Sequence, residues 1–180
     1  MHYHQLEHLV RAAAAMTNTN TLLIVGTQSL LGSCPQAPEI LTGHLQADFI
    51  TPDNQSLALI IEHDIGPASR FNLQFNYCAR GLGFVNVCLP TGWEQRLVDL
   101  ETAVSPKVQV RCLSALDMAA SKLAAARLKD FRFVSAMLHY GLVQAQELQD
   151  IIALLPVSDE QKEQRIAWIH DPSMQSAQTA

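Results

Sequence analysis

The sequence predicts an α+β fold, in which a mixed β-sheet has flanking helices and the C-terminal third of the chain is helical. Apolar residues recur at helical spacing at both ends of the chain, and short apolar runs bounded by glycine and proline lie between them. With 180 residues, the chain is long enough for one domain with its own core. We expect that domain to span residues 1–156, followed by a final helix and tail over residues 157–180.

The N-terminal half is predicted to alternate between helices and strands. Apolar residues at helical spacing predict a first helix from His4 to Met16. The uninterrupted apolar run Thr21–Val25 is typical of a strand that is buried on both faces, and Gly26 ends it. The next elements are a short helix beginning at Gln28–Leu31, a strand with alternating apolar and polar residues at Leu45–Thr51, and a helix that follows Pro52 and includes Ile61.

Four further strands are predicted between glycine and proline turns. They cover Phe75–Cys78, Phe84–Leu89, Leu97–Thr102 and Val108–Leu113. Gly81-Leu82-Gly83-Phe84 lacks the third glycine of a dinucleotide-binding fingerprint and precedes no predicted helix, so we expect a hairpin turn there.

Helices are predicted for the rest of the chain. Ser114 and Asp117 have the spacing of a capping box, with Asp in place of Glu, and they open an alanine-rich helix that ends at Arg127. Three more helices are expected at Lys129–His139, Gln144–Leu154 and Asp159–His170, and the tail Pro172–Ala180 is expected to be frayed.

The composition excludes several classes of protein. A hydrophobic content of 48% argues against disorder, and no apolar run approaches the roughly 18–20 residues that span a bilayer. The N-terminus lacks the pattern of a signal peptide, so we expect a cytoplasmic protein with no membrane partner. The four cysteines form no Cys-x-x-Cys pair and are expected to be reduced and mostly buried. The net charge of −5 argues against nonspecific attraction to nucleic acid.

Positive charge is nevertheless concentrated in one stretch of the chain. Six of the twelve Lys and Arg residues lie there, namely Lys107, Arg111, Lys122, Arg127, Lys129 and Arg132. A local positive surface on an acidic protein suits a phosphate-bearing ligand, and a solvated helix face is the alternative interpretation.

Two features of the N-terminal half suit phosphate and metal binding. Gly26 and Thr27 end the buried strand, where backbone and hydroxyl groups can approach phosphate oxygens, although an ordinary turn would also contain a glycine. Asp48 is the acidic residue of an otherwise apolar strand. A strand carboxylate near a glycine turn is one arrangement by which phosphoryl-transfer enzymes hold Mg²⁺, and a solvent-facing strand end is the alternative.

Lys122 lies among small residues on the alanine-rich helix. A lysine in that setting can neutralise a triphosphate, whereas the alternative is a surface lysine whose apolar stem packs along the helix. For Asp117 the alternative to a functional role is its capping position.

Together these motifs resemble the AbiEii-type nucleotidyltransferases and their short relatives within the DNA-polymerase-beta-like superfamily. In that family, a strand ending in Gly-Gly or Gly-Ser precedes a strand with two alternating carboxylates, and a helix lysine and a Lys-Asp pair come later. The matching segments are Val25–Leu30, Gln46–Asp48, Ala120–Leu123 and Arg127–Phe131, and the resemblance covers His4–Leu155.

The resemblance implies a nucleotidyltransferase-like fold and the transfer of a nucleoside monophosphate from an NTP to a hydroxyl of RNA or protein. It implies Mg²⁺ or Mn²⁺ on the triphosphate, and a cognate antitoxin or another protein as a partner. By this resemblance Gly26 and Thr27 contact phosphates and Asp48 binds the metal. Lys122 neutralises phosphate, and Asp130 orients the metal, the base or the acceptor. We therefore expect these side chains to line one surface.

Gln46 departs from the family pattern, because the first of the two alternating carboxylates is an amide here. The period of two in a strand places Gln46 on the same face as Asp48, where a neutral amide is a poorer ligand for a divalent cation. Asp64 or Glu62 could substitute. The alternative function is a catalytically lapsed member that acts as a binding or regulatory module, and a third interpretation is a structural domain with an accidental motif match.

Overall fold

The computed structural model describes residues 1–100, 108–171 and 173. The chain divides into two compact units, with Met1–Asn86 and Leu97–Ser114 in unit 1 and Val87–Arg96 and Ala115–Ala180 in unit 2. The expected domain boundary after residue 156 stays a prediction. Lys107, the Thr102 end of one predicted strand and the predicted tail apart from Ser173 lie outside the described residues.

Unit 1 is an α+β unit, in agreement with the predicted fold class. Its helices are α1 (Tyr3–Thr17), α2 (Leu30–Ser33), α3 (Glu39–Thr42), α4 (Ala58–Ile65) and α5 (Arg70–Phe75), and its strands are β1 (Thr21–Val25), β2 (Gln46–Ile50), β3 (Cys78–Gly81), β4 (Val98–Asp99) and β5 (Gln109–Cys112). Short 3-10 helices at Thr27–Ser29, Gln55–Leu57 and Phe84–Asn86 complete it.

The five strands form one mixed sheet in the order β3-β2-β1-β5-β4. β1 is antiparallel to β2 and parallel to β5, while β2 is parallel to β3 and β4 is antiparallel to β5. Val25 is paired directly with Asp48, so the glycine-ended strand and the acidic strand are neighbours in this sheet.

The two faces of the sheet differ in character. Leu22 and Ile24 of β1 and Ala47 and Phe49 of β2 are buried in one hydrophobic cluster, to which α1 contributes Leu6, Leu9, Val10, Ala13 and Ala14. Because side chains alternate along a strand, Asp48 lies on the opposite face. The register Val25–Asp48–Arg80 across three strands places Arg80 on that same face.

Two strand predictions in unit 1 are wrong. Phe75 ends α5, and the strand predicted at Phe75–Cys78 begins only at Cys78. The segment predicted as a strand at Phe84–Leu89 begins with a 3-10 helix and contains no strand, so no hairpin turn joins it to β3.

Side-chain hydrogen bonds fix the course of the chain after β3. The Phe84 N–H donates to Gln55 Oε1 at 2.8 Å, and the Gly83 N–H donates to Asn86 Oδ1 at 2.9 Å. Gly81 is needed for packing, since an added Cβ would lie 2.0 Å from the Ala58 carbonyl oxygen of α4. The apolar residues in this stretch therefore do not extend the sheet.

Unit 2 is helical, as predicted for the C-terminal third. Its elements are a 3-10 helix at Trp93–Arg96, α6 (Ala115–Ala125), α7 (Leu128–His139), α8 (Ala145–Ala153) and α9 (Asp159–His170). The Ser158 hydroxyl accepts from the Gln161 N–H, which is an N-cap that sets the start of α9. Phe131 of α7 packs edge-on against Trp168 of α9, with ring centroids 4.9 Å apart.

Two of the four cysteines are buried, whereas the sequence predicted that most of them would be. All four cysteines are free thiols, of which Cys78 and Cys112 are buried and Cys34 and Cys88 are half-buried.

Among the described residues, no helix combines the length and the apolar character that crossing a membrane requires.

Candidate functional site

Gly26 and Asp48 meet at the end of β1. Gly26 has φ 64° and ψ −157°, a conformation that is essentially confined to glycine. A Cβ built on Gly26 would lie 2.6 Å from Asp48 Oδ2, closer than real Cβ atoms approach an oxygen. The glycine is therefore required twice, by the backbone conformation and by the position of the carboxylate.

The second oxygen of the Asp48 carboxylate is engaged by β3. Arg80 Nε donates to Asp48 Oδ1 at 3.0 Å, and Gln46 Nε2 lies 3.4 Å from the same oxygen. The Asp48 side chain is 19% exposed and that of Arg80 is 46% exposed. One carboxylate oxygen thus faces the glycine turn, and the other is held by a guanidinium and an amide.

The turn after Gly26 is anchored by its own residues. The Ser29 hydroxyl and the Ser29 N–H both donate to the Gly26 carbonyl, at 2.8 and 3.2 Å. The buried amide of Gln28 donates to the carbonyls of Thr42 and His44, which precede β2. Within the described part of the chain the Thr27 hydroxyl makes no hydrogen bond. Thr27 is therefore the polar side chain of this turn that is available to a ligand.

Cys78 lies beside this carboxylate without being a reactive thiol. It is the register partner of Gln46 in β3. Burial raises the pKa of the Cys78 thiol, and the negative charges of Glu62 and Asp48 raise it further. Because the thiolate is the nucleophilic form, this environment argues against a catalytic cysteine.

In unit 2, Lys122 and Asp130 come together, although they are eight positions apart. α6 ends at Ala125 and α7 begins at Leu128, and Ala126 between them has φ 55°. This bend, which lies close to the break predicted between a helix ending at Arg127 and one beginning at Lys129, brings Lys122 Nζ to 3.6 Å from Asp130 Oδ1.

The Lys122–Asp130 pair is largely shielded from solvent. The side chains of Lys122 and Asp130 are 14% and 1% exposed. Lys122 Nζ lies 4.4 Å from the centroid of the Phe133 ring, a cation–π contact. Arg127 holds the same aspartate with two bonds, Nε to Oδ2 at 2.5 Å and Nη2 to Oδ1 at 3.2 Å.

Asp117 is the second buried carboxylate of unit 2, and it is fully inaccessible to solvent. Arg96 donates to it through Nε, at 3.0 and 3.1 Å, and through Nη2, at 2.7 Å. This fork joins the 3-10 helix at Trp93–Arg96 to α6. The capping interpretation of Asp117 did not include this ion pair.

The sequence-predicted site residues are therefore divided between the two units. Gly26, Thr27 and Asp48 are positioned by the sheet of unit 1, and Lys122 and Asp130 are positioned by α6 and α7 of unit 2. The expectation that they line one surface stays a prediction. Arg80 was missed by sequence reasoning because only the strand register pairs it with Asp48.

The residues around Asp48 do not fit a divalent cation. Mg²⁺ takes oxygen ligands, usually one or two carboxylates together with phosphate and water oxygens. Here Asp48 Oδ1 accepts a hydrogen bond from the Arg80 guanidinium. The next position on the same face of β2 is Gln46, whose side chain is a neutral amide. Across the ranges that the structure describes, no group of three or more His, Cys, Asp or Glu residues could hold a metal ion.

Comparison with known proteins supplies the family. Residues 4–174 match the family model described as "Nucleotidyltransferase of unknown function (DUF6036)". No curated protein and no solved structure matched the chain. The match includes the turn after β1, the acidic strand β2 and the helices that carry Lys122 and Asp130. The chain therefore belongs to this family of nucleotidyltransferases of unknown function.

Proposed function

We propose that the protein binds a nucleoside triphosphate at the turn after β1 and transfers its nucleoside monophosphate to a hydroxyl of RNA or protein. One observation carries the proposal. Asp48 Oδ2 stands directly over Gly26, so that the glycine turn and the strand carboxylate form one polar site at the end of β1. Membership of a nucleotidyltransferase family supports nucleotide as the ligand of this site.

The proposed reaction is a displacement at phosphorus. The acceptor hydroxyl oxygen forms a bond to the α-phosphorus of the NTP, and the bond from that phosphorus to the oxygen bridging it to the β-phosphate breaks. Pyrophosphate leaves with that bonding pair, and the hydroxyl proton passes to water. Catalysis of such a step consists mainly of positioning and charge stabilisation. Accordingly, Gly26 and Thr27 contact phosphate oxygens in this proposal.

For unit 2 we propose that Lys122 neutralises phosphate charge and that Asp130 holds Lys122 in place. The 3.6 Å ion pair and the contact of Lys122 with Phe133 support a fixed ammonium rather than a mobile one. Arg132, which is exposed and lies in the same basic stretch but outside the Arg127–Phe131 motif, provides the control. Lys122→Ala should weaken NTP binding, whereas Arg132→Ala should leave it unchanged.

A second candidate function is a nucleotidyltransferase fold that binds nucleotide without transferring it. The contacts of Asp48 with Arg80 and Gln46 favour this candidate, because they occupy the carboxylate that the family resemblance assigns to a metal. Such a protein would act as a binding or regulatory module. In either case we propose a partner protein, and the AbiEii-type motifs support a cognate antitoxin.

Calorimetric titration of NTPs, with and without Mg²⁺ or Mn²⁺, tests nucleotide binding. Incubation with radiolabelled NTP and bulk RNA or protein tests transfer. Transfer of label to RNA or protein by the wild type, and loss of that transfer in Asp48→Asn, would support the nucleotidyltransferase. NTP binding without label supports the binding module. Gln46→Asp restores an anionic ligand beside Asp48, so it should increase metal binding. The absence of NTP binding in every condition would contradict both candidates.

A further inference from the structure

Arg80 uses only part of its hydrogen-bonding capacity. A guanidinium carries five N–H donors in a planar fork. Nε donates to Asp48 Oδ1 at 3.0 Å, and the described part of the chain offers no hydrogen-bond acceptor to the two terminal amino groups. The Arg80 side chain is 46% exposed, and these four remaining donors have no acceptor among the described residues.

These donors lie next to the glycine turn. Val25, Asp48 and Arg80 are in register across β1, β2 and β3. Because neighbouring strands are about 4.8 Å apart, the Arg80 backbone is about 10 Å from the end of β1. Asp48 lies on the strand between them, with Oδ2 against Gly26 and Oδ1 against the Arg80 guanidinium. A phosphate group at the turn would therefore lie beside the guanidinium.

The charge at Asp48 is already balanced by a permanent cation. Arginine stays protonated at every physiological pH, and its hydrogen bond to a carboxylate is charge-assisted. A divalent cation on Asp48 would have to displace the guanidinium or lie close to it, against the repulsion of like charges. Gln46 adds no negative charge that would offset this cost.

We propose that Arg80 takes the place of a divalent cation at Asp48, and that its terminal amino groups bind the phosphate oxygens of the nucleotide. The ligand class is a triphosphate that is bound without a divalent metal. This inference rests on the proposed nucleotide binding and identifies how that same site recognises phosphate. The guanidinium is suited to this role, because its fork matches two phosphate oxygens at once.

The first measurement follows metal binding without any nucleotide, by the electron paramagnetic resonance of Mn²⁺. The wild type should bind no Mn²⁺ at this site. Arg80→Gln should create a Mn²⁺ site that the double variant Arg80→Gln/Asp48→Asn lacks. Arg111, which is paired with Leu23 on the same face of the sheet, provides the control. Arg111→Gln removes the same charge from that face and should create no Mn²⁺ site.

The second measurement is calorimetric titration with inorganic tripolyphosphate in the presence of EDTA, which does not depend on base preference. The wild type should bind it, and Arg80→Gln should bind it at least about tenfold more weakly, the effect of one lost charge-assisted hydrogen bond. Arg80→Lys, which keeps the charge without the fork, should bind it with intermediate affinity. Circular dichroism checks that each variant is folded. If Arg80→Gln is not folded, the comparison of affinities is made between the wild type and Arg80→Lys.

The outcomes separate this inference from the proposed function. Mn²⁺ binding by the wild type that Asp48→Asn abolishes would overturn the inference, and so would tripolyphosphate binding that is unchanged in Arg80→Gln. NTP binding that occurs only with Mg²⁺ would overturn it while leaving the proposed function intact. If no NTP binds in any condition, the proposed function fails, even where Mn²⁺ binds only after Arg80 is replaced.

Discussion

The carboxylate of Asp48 occupies the space that a side chain at Gly26 would need, with Oδ2 only 2.6 Å from the position of an added Cβ. Gly26 also has φ 64° and ψ −157°. The turn therefore depends on a glycine for two separable reasons, one of them local to the backbone and the other imposed by the neighbouring strand.

Gly26→Ala should lower the free energy of unfolding by about 1–3 kcal/mol from backbone strain alone, with a further cost from the clash. Asp48→Ala removes the clash but not the strain. In a double-mutant cycle measured by urea unfolding, Gly26→Ala should therefore cost less in the Asp48→Ala background. We expect a coupling of at least about 0.5 kcal/mol, and strict additivity would contradict the close approach.

Removing Arg96 should destabilise unit 2 strongly. Asp117 is fully buried and accepts three hydrogen bonds from Arg96, so Arg96→Ala should cost about 3 kcal/mol. Arg165 provides a matched control, since its Nε donates to the neutral carbonyl of Leu123 at 3.0 Å. Arg165→Ala should cost about 1 kcal/mol in the same denaturant titration, and equal costs would contradict a special role for the Asp117 charge.

Ala126 is a site at which glycine should be stabilising. Its φ of 55° is unfavourable for a residue with a Cβ, and it follows the last turn of α6. Ala126→Gly should raise the free energy of unfolding by about 0.5–1 kcal/mol. Ala125→Gly, one position earlier and within the helix, should lower it by about 0.5–1 kcal/mol. If both substitutions had the same sign in thermal unfolding, the left-handed conformation at Ala126 would be wrong.

Cys112 should make stability fall at alkaline pH. Burial raises the pKa of its thiol from 9.0 to about 12, and the backbone of Gly32 offsets this in part. The folded state holds the proton more tightly than the unfolded state, so this contribution is complete below pH 9 and is lost as the pH rises toward 12. The loss should be about 1.4 kcal/mol per pH unit in that window.

Cys112→Ala isolates the contribution of this thiol from the other groups that titrate in the same range. Its unfolding free energy should fall less steeply above pH 9 than that of the wild type. Parallel pH profiles for the wild type and Cys112→Ala would contradict the raised pKa.

In the folded wild type, alkylation by iodoacetamide at pH 8 should label Cys34 and Cys88 before Cys112, because Cys112 is the most deeply buried of the three.

The elements that the sequence predicted best are those whose signals are local. The apolar run Thr21–Val25 is β1, and the helix predicted at Asp159–His170 has those bounds in the structure. By contrast, Phe84–Leu89 has the composition of a strand, but a Gln55 side chain from a distant segment takes the Phe84 N–H. That competing hydrogen bond joins residues far apart in sequence, so no local pattern could indicate it.

The residues of the candidate site were likewise predictable only where their signals are local. Gly26 and Asp48 carry local signals, namely a glycine after a buried strand and an acidic residue between two apolar ones on the next strand. Arg80 carries none, because its importance comes from the parallel register of β2 with β3. A residue that acts through a partner 32 positions away becomes visible only once the sheet is assembled.

The path of the chain between the two units restricts how this protein can be divided. The chain leaves unit 1 after Asn86, contributes Val87–Arg96 to unit 2 and re-enters unit 1 at Leu97. A single break after Ser114 would therefore leave unit 2 without Arg96, the residue that forks onto Asp117. Neither unit is a continuous piece of polypeptide, so recombination at one crossover point cannot exchange either of them intact between relatives. The two units are therefore expected to be inherited together.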